Sequence, residues 1–435
     1  MWMKRGGSML DPTLWYEAIK LMKGEFRDLC RDSIIDYPEL MEMIDKKVKV
    51  DAVVAMTPCG YFLAHLFDTQ IIVFSPNGPF SIMIEPGLGN SINPFVQPSL
   101  LAPFIEPMTF FQRLLNVFLE IMLRAYTKYI DSLQMESIRE HFGEDVPDSE
   151  TTLKERSAIG ITNSHFITQG SWPFYKNVIE VGGIHIKPAK ELPPDLKNFM
   201  DAHPEGVVYV SFGSAIKPSS MTAEQKSVFL DSFTTLKDVP IIWKWDDDDL
   251  TGIPENVLVQ KWLPQNDLLA HPNLKVFVTH GGLGSTQEAL THAVPLVGVP
   301  INGDQMANMM RAERHGYAIP LSLTTMSKDD LVSAIHKART DKSIQDSIQK
   351  MHELFTEDKE NPPKLRAVKA VEYVIKHKGA DFLKPTAVMS TSWYQIYGFD
   401  ILAFVIFVLF ITSVITLKIC SCCIGRCFFK KAKQD

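Results

Sequence analysis

The chain contains few cysteines and no acceptor site for N-linked glycosylation. Only six of its 435 residues are cysteines, and none of its asparagines begins an Asn-x-Ser/Thr triplet. Four of the cysteines lie in the last sixteen residues: Cys420, Cys422, Cys423 and Cys427. Because only Cys30 and Cys59 remain upstream, the composition excludes a small disulfide-rich scaffold. Glycosylation gives no indication of the compartment.

The chain also lacks a basic stripe and an amino-terminal secretory signal. Its formal net charge is −7, and lysine and arginine do not cluster upstream of the tail, so nucleic acid is not an expected partner. The opening residues, Met1-Trp-Met-Lys-Arg-Gly-Gly, are not followed by an apolar core. A hydrophobic fraction of 46% with 22% charged residues is typical of a globular protein, and the length predicts two domains.

One long apolar run is present, near the carboxyl end. Residues 401–417 are uncharged and lie between Asp400 and Lys418. As a helix, this run measures about 25 Å, enough to cross a bilayer with Trp393, Tyr394 and Tyr397 at the interface. We predict a transmembrane helix over 399–418; a buried core helix is the alternative.

The tail that follows, 419–435, is basic. With Lys418, the positive residues beyond the apolar run are Arg426, Lys430, Lys431 and Lys433. The positive-inside rule then places the tail in the cytosol and the large domains in the lumen. The last five residues resemble a dilysine retrieval signal, so we expect a single-pass protein of the endoplasmic reticulum membrane. Insertion as a tail anchor, which leaves the domains in the cytosol, is the alternative.

The most informative stretch is 261–316. Residues 275–279 (KVFVT) predict a buried strand, followed by the glycine turn His280-Gly-Gly-Leu-Gly284, a helix over 285–291 and a second strand over 294–299. A further helix is predicted over 304–315. This is a βαβ unit, and its glycine turn at a helix start is suited to an anion such as a phosphate.

Strands and helices alternate along the rest of the chain, which predicts an α/β fold. We expect two Rossmann-like domains, 1–186 and 206–385, joined by a Pro- and Lys-bearing linker over 187–205. The apolar segment 110–129 predicts a core helix; an acceptor-pocket or membrane-contacting surface is the alternative. Four successive aspartates, 246–249, are interpreted as a solvated turn, with a Mg²⁺ or Mn²⁺ site as the alternative.

The whole stretch 261–316 resembles the signature of the UDP-glycosyltransferases, which include the UDP-glucuronosyltransferases. The matching residues are Trp262, Pro264, Gln265, Phe277, Val278, Thr279, His280, Gly281, Gly282, Ser285, Glu288, Pro295, Pro300, Asp304 and Gln305. The resemblance implies a GT-B fold, in which two Rossmann-like domains face a cleft. It implies transfer of glucose or glucuronic acid from a UDP-sugar co-substrate to a hydroxyl of a small lipophilic acceptor. The transfer would be inverting and would use no metal or other cofactor. The resemblance is also compatible with a role in detoxification and with a homo-oligomer.

The same resemblance assigns residues to the nucleoside of the donor. It implies that Trp262 stacks on uracil, although a core tryptophan is the alternative. Gln265 would meet the ribose, and Glu288 would accept from both ribose hydroxyls. An alternative role for Glu288 is a capping box, because Ser285-x-x-Glu288 fits the pattern in which the glutamate folds back on the helix start.

The resemblance places the diphosphate and the sugar nearby. His280 and the N–H groups near Gly282, Gly284 and Ser285 would hold the diphosphate, together with the turn that contains Ser214. Asp304 and Gln305 would bind sugar hydroxyls, with Asp304 as a helix N-cap the alternative.

The catalytic residues are left unassigned. The family's scheme uses a histidine near the start of the first domain, oriented by an aspartate after a later strand. Met56 stands where that acid is expected, and the first histidine of the chain, His65, falls on a predicted helix where a structural role is expected. We therefore expect the family's amino-terminal segment to be missing. The alternative function is a truncated, membrane-anchored UDP-sugar-binding protein with little or no turnover.

Overall fold

The computed structural model describes residues 27–214, 217–247 and 250–431. The sequence also predicts helices within 12–46, and the structure describes this segment only from residue 27. Asp248 and Asp249 of the acidic run and most of the dilysine signal likewise lie outside the described residues. The chain divides into two compact units, one up to Lys384 and the other from Pro385 onward. The two units are described separately.

The first half of the larger unit is built on a four-stranded parallel sheet with the order β1-β2-β3-β4. Its strands are β1 (Ala52–Ala55), β2 (Gln70–Ser75), β3 (Ser157–Thr162) and β4 (Val178–Glu180). Its helices are α1 (Leu29–Ile35), α2 (Pro38–Asp45), α3 (Pro58–Leu66), α4 (Ser81–Ile84), α5 (Phe110–Phe142), α6 (Ser149–Arg156) and α7 (Phe166–Gln169). A disulfide between Cys30 and Cys59 joins α1 to the start of α3.

The second half carries a six-stranded parallel sheet with the order β10-β9-β8-β5-β6-β7. Its strands are β5 (Val207–Ser211), β6 (Ile241–Lys244), β7 (Val257–Gln260), β8 (Leu274–Thr279), β9 (Leu296–Gly298) and β10 (Ala318–Pro320). The helices are α8 (Pro194–Asp201), α9 (Ala223–Thr235), α10 (Gln265–Leu269), α11 (Leu283–Thr291), α12 (Gln305–Arg314), α13 (Lys328–Thr340) and α14 (Lys342–Thr356). The next helix, α15 (Pro363–His377), returns to the first half, where Ala367 and Val374 pack against the first sheet. Short 3₁₀ turns occupy Pro218–Ser220 and Asp381–Leu383.

Both faces of the second sheet are covered by apolar cores, as the continuous apolar run of β5 predicts. Val208 and Val210 pack into one core, whereas Val207 and Tyr209 pack into the other, because successive side chains of a strand point to opposite faces. The first core is rich in aromatic rings, with Phe229 and Trp243 fully buried. The α/β prediction is confirmed in both halves.

Several boundaries differ from the sequence predictions. The apolar residues of 159–167 predict a strand over that whole range, but β3 ends at Thr162, and α7 follows it after a short loop. Neither β7 nor β10 was predicted, because their apolar runs, VLV and AI, are too short to indicate a strand in sequence.

Helix α5 is longer than predicted and is not a core helix along its first half. It runs to Phe142, and one stripe of its surface is exposed. The exposed apolar residues of this stripe are Phe110, Phe111, Leu114, Phe118 and Ile121. The other face packs inward through Leu119 and Leu123. The core-helix prediction is therefore wrong for this stripe.

The smaller unit consists of α16 (Thr386–Met389), α17 (Trp393–Ile396) and the long helix α18 (Phe399–Lys431). The part of α18 from Phe399 to Ser421 is long and apolar enough to cross a membrane, with a mean hydropathy of 2.6. None of its most apolar window is buried, so the alternative of a buried core helix is wrong.

Candidate nucleotide-binding site

The glycine turn after β8 leads directly into helix α11. Gly282 is the N-cap residue of this helix and has no side chain with which to bond the first N–H groups. Those N–H groups have no partner within the helix and are therefore available to an anion. The helix begins two residues earlier than predicted, so Ser285 lies within the first turn. The capping box of Ser285 and Glu288 is therefore not formed, and that alternative is wrong.

Glu288 instead belongs to a small polar cluster at the carboxyl edge of the sheet. Its Oε2 accepts a hydrogen bond from Gln265 Nε2 at 2.6 Å, and the same Nε2 lies 3.0 Å from Ser285 Oγ. The hydroxyl of Tyr209 donates to Gln265 Oε1 at 3.3 Å. The Glu288 side chain is 15% exposed, which leaves its carboxylate accessible at the surface of the cleft. The structure thus brings three of the predicted residues together.

His280 lies between two glycines. A Cβ added at Gly213 would stand 2.9 Å from its Cε1, and one added at Gly282 would stand 2.5 Å from its Nε2, so only glycine leaves room for the ring on both sides. Burial, helped by the positive charge of Lys244, lowers the pKa of His280 to about 4. The ring is therefore neutral near pH 7. Among the residues that the structure describes, its buried Nδ1 has no hydrogen-bond partner.

Lys244 is a site residue that sequence reasoning missed. Its Nζ donates to the Gly213 carbonyl at 2.8 Å and lies 4.6 Å from the centroid of the Trp262 ring, a cation–π contact. Burial lowers the pKa of Lys244. The available signal was its position at the carboxyl end of β6, the strand beside β5, since ligands bind at the carboxyl edge of such sheets.

Trp262 and Ser214 are both accessible at this edge. Trp262 is 73% exposed, so the alternative of a core tryptophan is wrong. Ser214 is exposed immediately after Gly213. A large exposed aromatic face beside a lysine is suited to stacking on a planar base.

Asp304 and Gln305 begin helix α12 in different roles. Asp304 occupies the N-cap position, but its side chain makes no capping hydrogen bond; Oδ2 instead accepts from Asn308 Nδ2 at 2.7 Å. Burial raises the pKa of Asp304. The amide of Gln305 is engaged within its own loop, since Oε1 accepts from the N–H groups of Ile301 at 2.8 Å and Asn302 at 3.0 Å. Gln305 therefore holds the loop that precedes α12.

Two other residues from the sequence analysis lie in structured surroundings. Both carboxylate oxygens of Asp246 accept hydrogen bonds from Ser219, at 2.9 and 2.7 Å, so the described part of the acidic run orders a neighbouring turn. His65 lies on α3 and stacks on Phe62. Burial lowers the pKa of His65. The positive charge of Arg156 lowers it further, whereas the negative charge of Asp68 raises it.

The first half contacts the helices of the site directly. Gln287 of α11 donates to the Asn163 carbonyl at 3.2 Å and accepts from the Gly183 N–H at 3.1 Å. On α12, Arg311 forms an ion pair with Glu106, with Nη2 and Oε2 2.9 Å apart. The carboxyl edges of the two sheets therefore meet at the glycine turn and at α12.

These features define an α/β protein of two halves with a candidate nucleotide site, and comparison with known proteins gives its family. The family model described as "UDP-glucoronosyl and UDP-glucosyl transferase" matches residues 3–434. The chain is 33% identical to UDP-glycosyltransferase UGT5 of Dactylopius coccus over 405 residues, covering 91% of this chain and 75% of that protein. It is 29% identical to human UDP-glucuronosyltransferase 2B7 over 446 residues, covering 99% and 82%.

A solved structure shares the fold. The glycosyltransferase of kitacinnamycin superposes with a TM-score of 0.52 at 19% identity and covers 84% of each chain. The architecture is therefore the GT-B type, with two Rossmann-like α/β parts. The chain belongs to the UDP-glycosyltransferase family and is an enzyme of that family, and a UDP-sugar is the donor that the family implies.

Proposed function

We propose that this enzyme transfers glucose or glucuronic acid from its UDP-sugar to a hydroxyl of a small lipophilic acceptor. The proposed reaction inverts the sugar carbon and uses no metal or other cofactor. The observation that supports this proposal most is the geometry around His280, a neutral ring held between two glycines at an uncapped helix start. Such a site binds a diphosphate through N–H donors, and this requires no change of protonation near pH 7.

Each donor part has a proposed partner at the carboxyl edge of the second sheet. Trp262 stacks on uracil, Glu288 accepts from the ribose hydroxyls, and Gln265 orients that carboxylate. The diphosphate lies at the turn formed by His280, Gly282, Gly284 and Ser285, with Ser214 opposite. The sugar hydroxyls reach Asp304, while Gln305 shapes the loop around them.

The proposed chemistry is a direct displacement. The acceptor oxygen forms a bond to the anomeric carbon as the bond to the UDP oxygen breaks, and the electron pair leaves with UDP. Negative charge then develops on the diphosphate, where the first N–H groups of α11 and the cation of Lys244 are preorganised to stabilise it. The acceptor proton passes to a base that we leave unassigned.

The site of action that we propose is the endoplasmic reticulum membrane. Helix α18 is the proposed single span, with the larger unit in the lumen and the basic tail in the cytosol. The Cys30–Cys59 disulfide supports the lumenal side, because such bonds persist in oxidising compartments. Homo-oligomerisation and a role in detoxification rest on the family resemblance alone.

An activity assay tests the reaction. The full chain, purified in detergent, is incubated with UDP-glucose or UDP-glucuronic acid and a panel of phenols and alcohols, with and without EDTA. We expect slow formation of product with inverted configuration by NMR, at the same rate with and without EDTA, because no general base is assigned. UDP binding without any turnover would instead support the alternative of a UDP-sugar-binding protein. If turnover occurs at ordinary enzyme rates, His65 is the first residue to substitute in the search for the base.

Protease treatment of sealed microsomes tests the orientation. We expect the larger unit to be protected until detergent opens the membrane. Digestion of the larger unit in intact vesicles would show that it faces the cytosol and that α18 is a tail anchor.

A further inference from the structure

The exposed apolar stripe of helix α5 has no part in the donor site. Its side chains recur at intervals of three or four residues and therefore share one face of the helix. Phe111 is 77% exposed, and Leu114, Phe118 and Ile121 follow it on the same face. Met122 widens the face at its far end. A stripe of large apolar side chains open to solvent is typical of a surface that meets a protein or a membrane.

A loop that precedes α5 adds to this surface. The fully buried Asn116 holds the loop against the helix, because its Nδ2 donates to the carbonyls of Pro94 at 2.7 Å and Gln97 at 2.9 Å. Between the two held carbonyls lie Phe95 and Val96, both of them exposed. We call these two residues, together with the exposed apolar residues of α5, the α5 patch.

The charges that border the α5 patch are positive. The exposed positions of α5 between residues 110 and 128, all within the described part of the chain, include no acidic side chain. Glu120 is buried and pairs with Arg124 at 2.9 Å. Lys128 is exposed two turns after Ile121, and the Arg113 guanidinium lies 6.0 Å from the centroid of the Phe110 ring. Phenylalanine and leucine on one face, bordered by lysine and arginine, are typical of helices that lie in a bilayer interface.

A bilayer is within reach of the larger unit because the chain itself carries a candidate span. Only residues 385–398 connect the larger unit to the apolar part of α18. That connection measures at most about 50 Å even when fully extended. Such a tether raises the effective concentration of the bilayer at the surface of the larger unit, so that a weak interfacial contact becomes populated.

We propose that the α5 patch docks on the surface of the bilayer that α18 crosses. The apolar side chains enter the boundary between headgroups and acyl chains, and Arg113 and Lys128 meet anionic headgroups. A bilayer complements these two cations, whereas a second copy of the same patch does not. The inference rests on the proposed role of α18 as a membrane span, and it adds a second, reversible membrane contact made by the first half.

A fluorescent probe on the α5 patch tests this contact in the full chain. The four tail cysteines are replaced by serine, and a single cysteine is introduced for labelling, either Phe118→Cys or Ser132→Cys. Position 132 is the matched control, because it is exposed on the same helix about 21 Å farther along. Each chain is reconstituted in vesicles of phosphatidylcholine and phosphatidylserine, with and without lipids spin-labelled near the headgroup. We expect quenching by the spin labels and a blue shift of emission at position 118, and neither at position 132.

Two changes should weaken the docking. Phe111→Ser combined with Leu114→Ser should abolish the quenching at position 118, because interfacial binding scales with buried apolar area. Vesicles of phosphatidylcholine alone should reduce it, because they offer no anionic headgroups to Arg113 and Lys128.

Three results would overturn the inference. The first is an unquenched probe at position 118 in vesicles that hold the chain, and the second is equal quenching at positions 118 and 132. The third is energy transfer between probes at position 118 that rises with protein density, because a second copy would then cover the patch. A chain that fails to float with the vesicles would instead contradict the proposed span, and the inference with it.

Discussion

The two halves of the larger unit use the same parallel α/β architecture but finish their surfaces differently. In the second half, six strands lie between two closed apolar cores. In the first half, four strands end at β1, where Val54 and Met56 are exposed, and α5 presents an apolar stripe to solvent. The second half thus holds polar groups at the edge of a closed core. The first half presents apolar surface, which is expected where a protein binds lipophilic molecules.

The two halves also differ in the role of one buried histidine, His165 in the first half and His280 in the second. Burial lowers the pKa of both His165 and His280 to about 4, with a further contribution from a nearby cation in each case. His165 has a structural role, because its Nδ1 accepts from the Ile167 N–H at 3.2 Å and its ring packs on Phe166 and Phe355. His280 Nδ1 has no partner among the described residues. A lowered pKa therefore does not by itself distinguish a histidine of the candidate site from a structural one.

The largest expected effect separates the closed core from the exposed stripe. Phe229→Ala removes a fully buried ring from the second half and should lower the free energy of unfolding by about 3–5 kcal/mol. Phe118→Ala on α5, where the ring is 55% exposed, should change it by no more than about 0.5 kcal/mol. Urea unfolding followed by tryptophan fluorescence measures both. Equal losses would show that the α5 stripe is buried in the protein in solution.

The next effect concerns the polar edge of the second half. Glu288→Gln should weaken UDP binding by about 1.5–3 kcal/mol, the value of hydrogen bonds to a charged acceptor. Glu313→Gln, an exposed glutamate on α12, is the matched control. Calorimetric titration with UDP gives the difference. Equal UDP affinities of the two variants would show that Glu288 does not bind the ribose.

Substitution of the exposed tryptophan should have a similar or somewhat smaller effect. Trp262→Ala should cost about 1–3 kcal/mol of UDP affinity through lost stacking, and Trp262→Phe should lose only part of it. The unfolding free energy should hardly change, because the ring is exposed. If the alanine variant bound UDP as tightly as wild type, the proposal that Trp262 stacks on uracil would be wrong.

The last effect is a dependence of stability on pH, to which both halves contribute. Both His165 and His280 have a lowered pKa in the folded chain, whereas an unfolded histidine titrates near about 6.5. The unfolded state therefore takes up protons first as the pH falls. Stability from each neutral ring is complete above the unfolded value and is lost between about 6.5 and 4.

Substitution of each histidine in turn separates their contributions. His280→Gln and His165→Gln should each flatten the loss of unfolding free energy over this acid range. Only His280→Gln should also weaken UDP binding at pH 7. If the unfolding free energy fell as steeply with acid in both variants as in wild type, the neutral state of the two rings would be contradicted.

The sequence was most informative where a run of neighbouring residues carries the signal. The apolar runs of β5 and β8 and the glycine turn that follows β8 were predicted because buried parallel strands and glycine-rich turns have local patterns. Strands β7 and β10 were missed because their residues owe their extended form to hydrogen bonds with neighbouring strands. Lys244 was missed for a related reason, since a single lysine in a sequence resembles an ordinary surface residue.

The sequence by itself determined the family, the alternation of strands and helices, the glycine turn and the apolar span, because each depends on residues close together in the chain. Only the tertiary structure decided which groups meet at the site. Glu288 bonds to Gln265 rather than to its own helix start, His280 is neutral between Gly213 and Gly282, and Gln287 of α11 bonds to the first half. These outcomes depend on burial and on partners that are distant in sequence, and those are established only when the two sheets pack together.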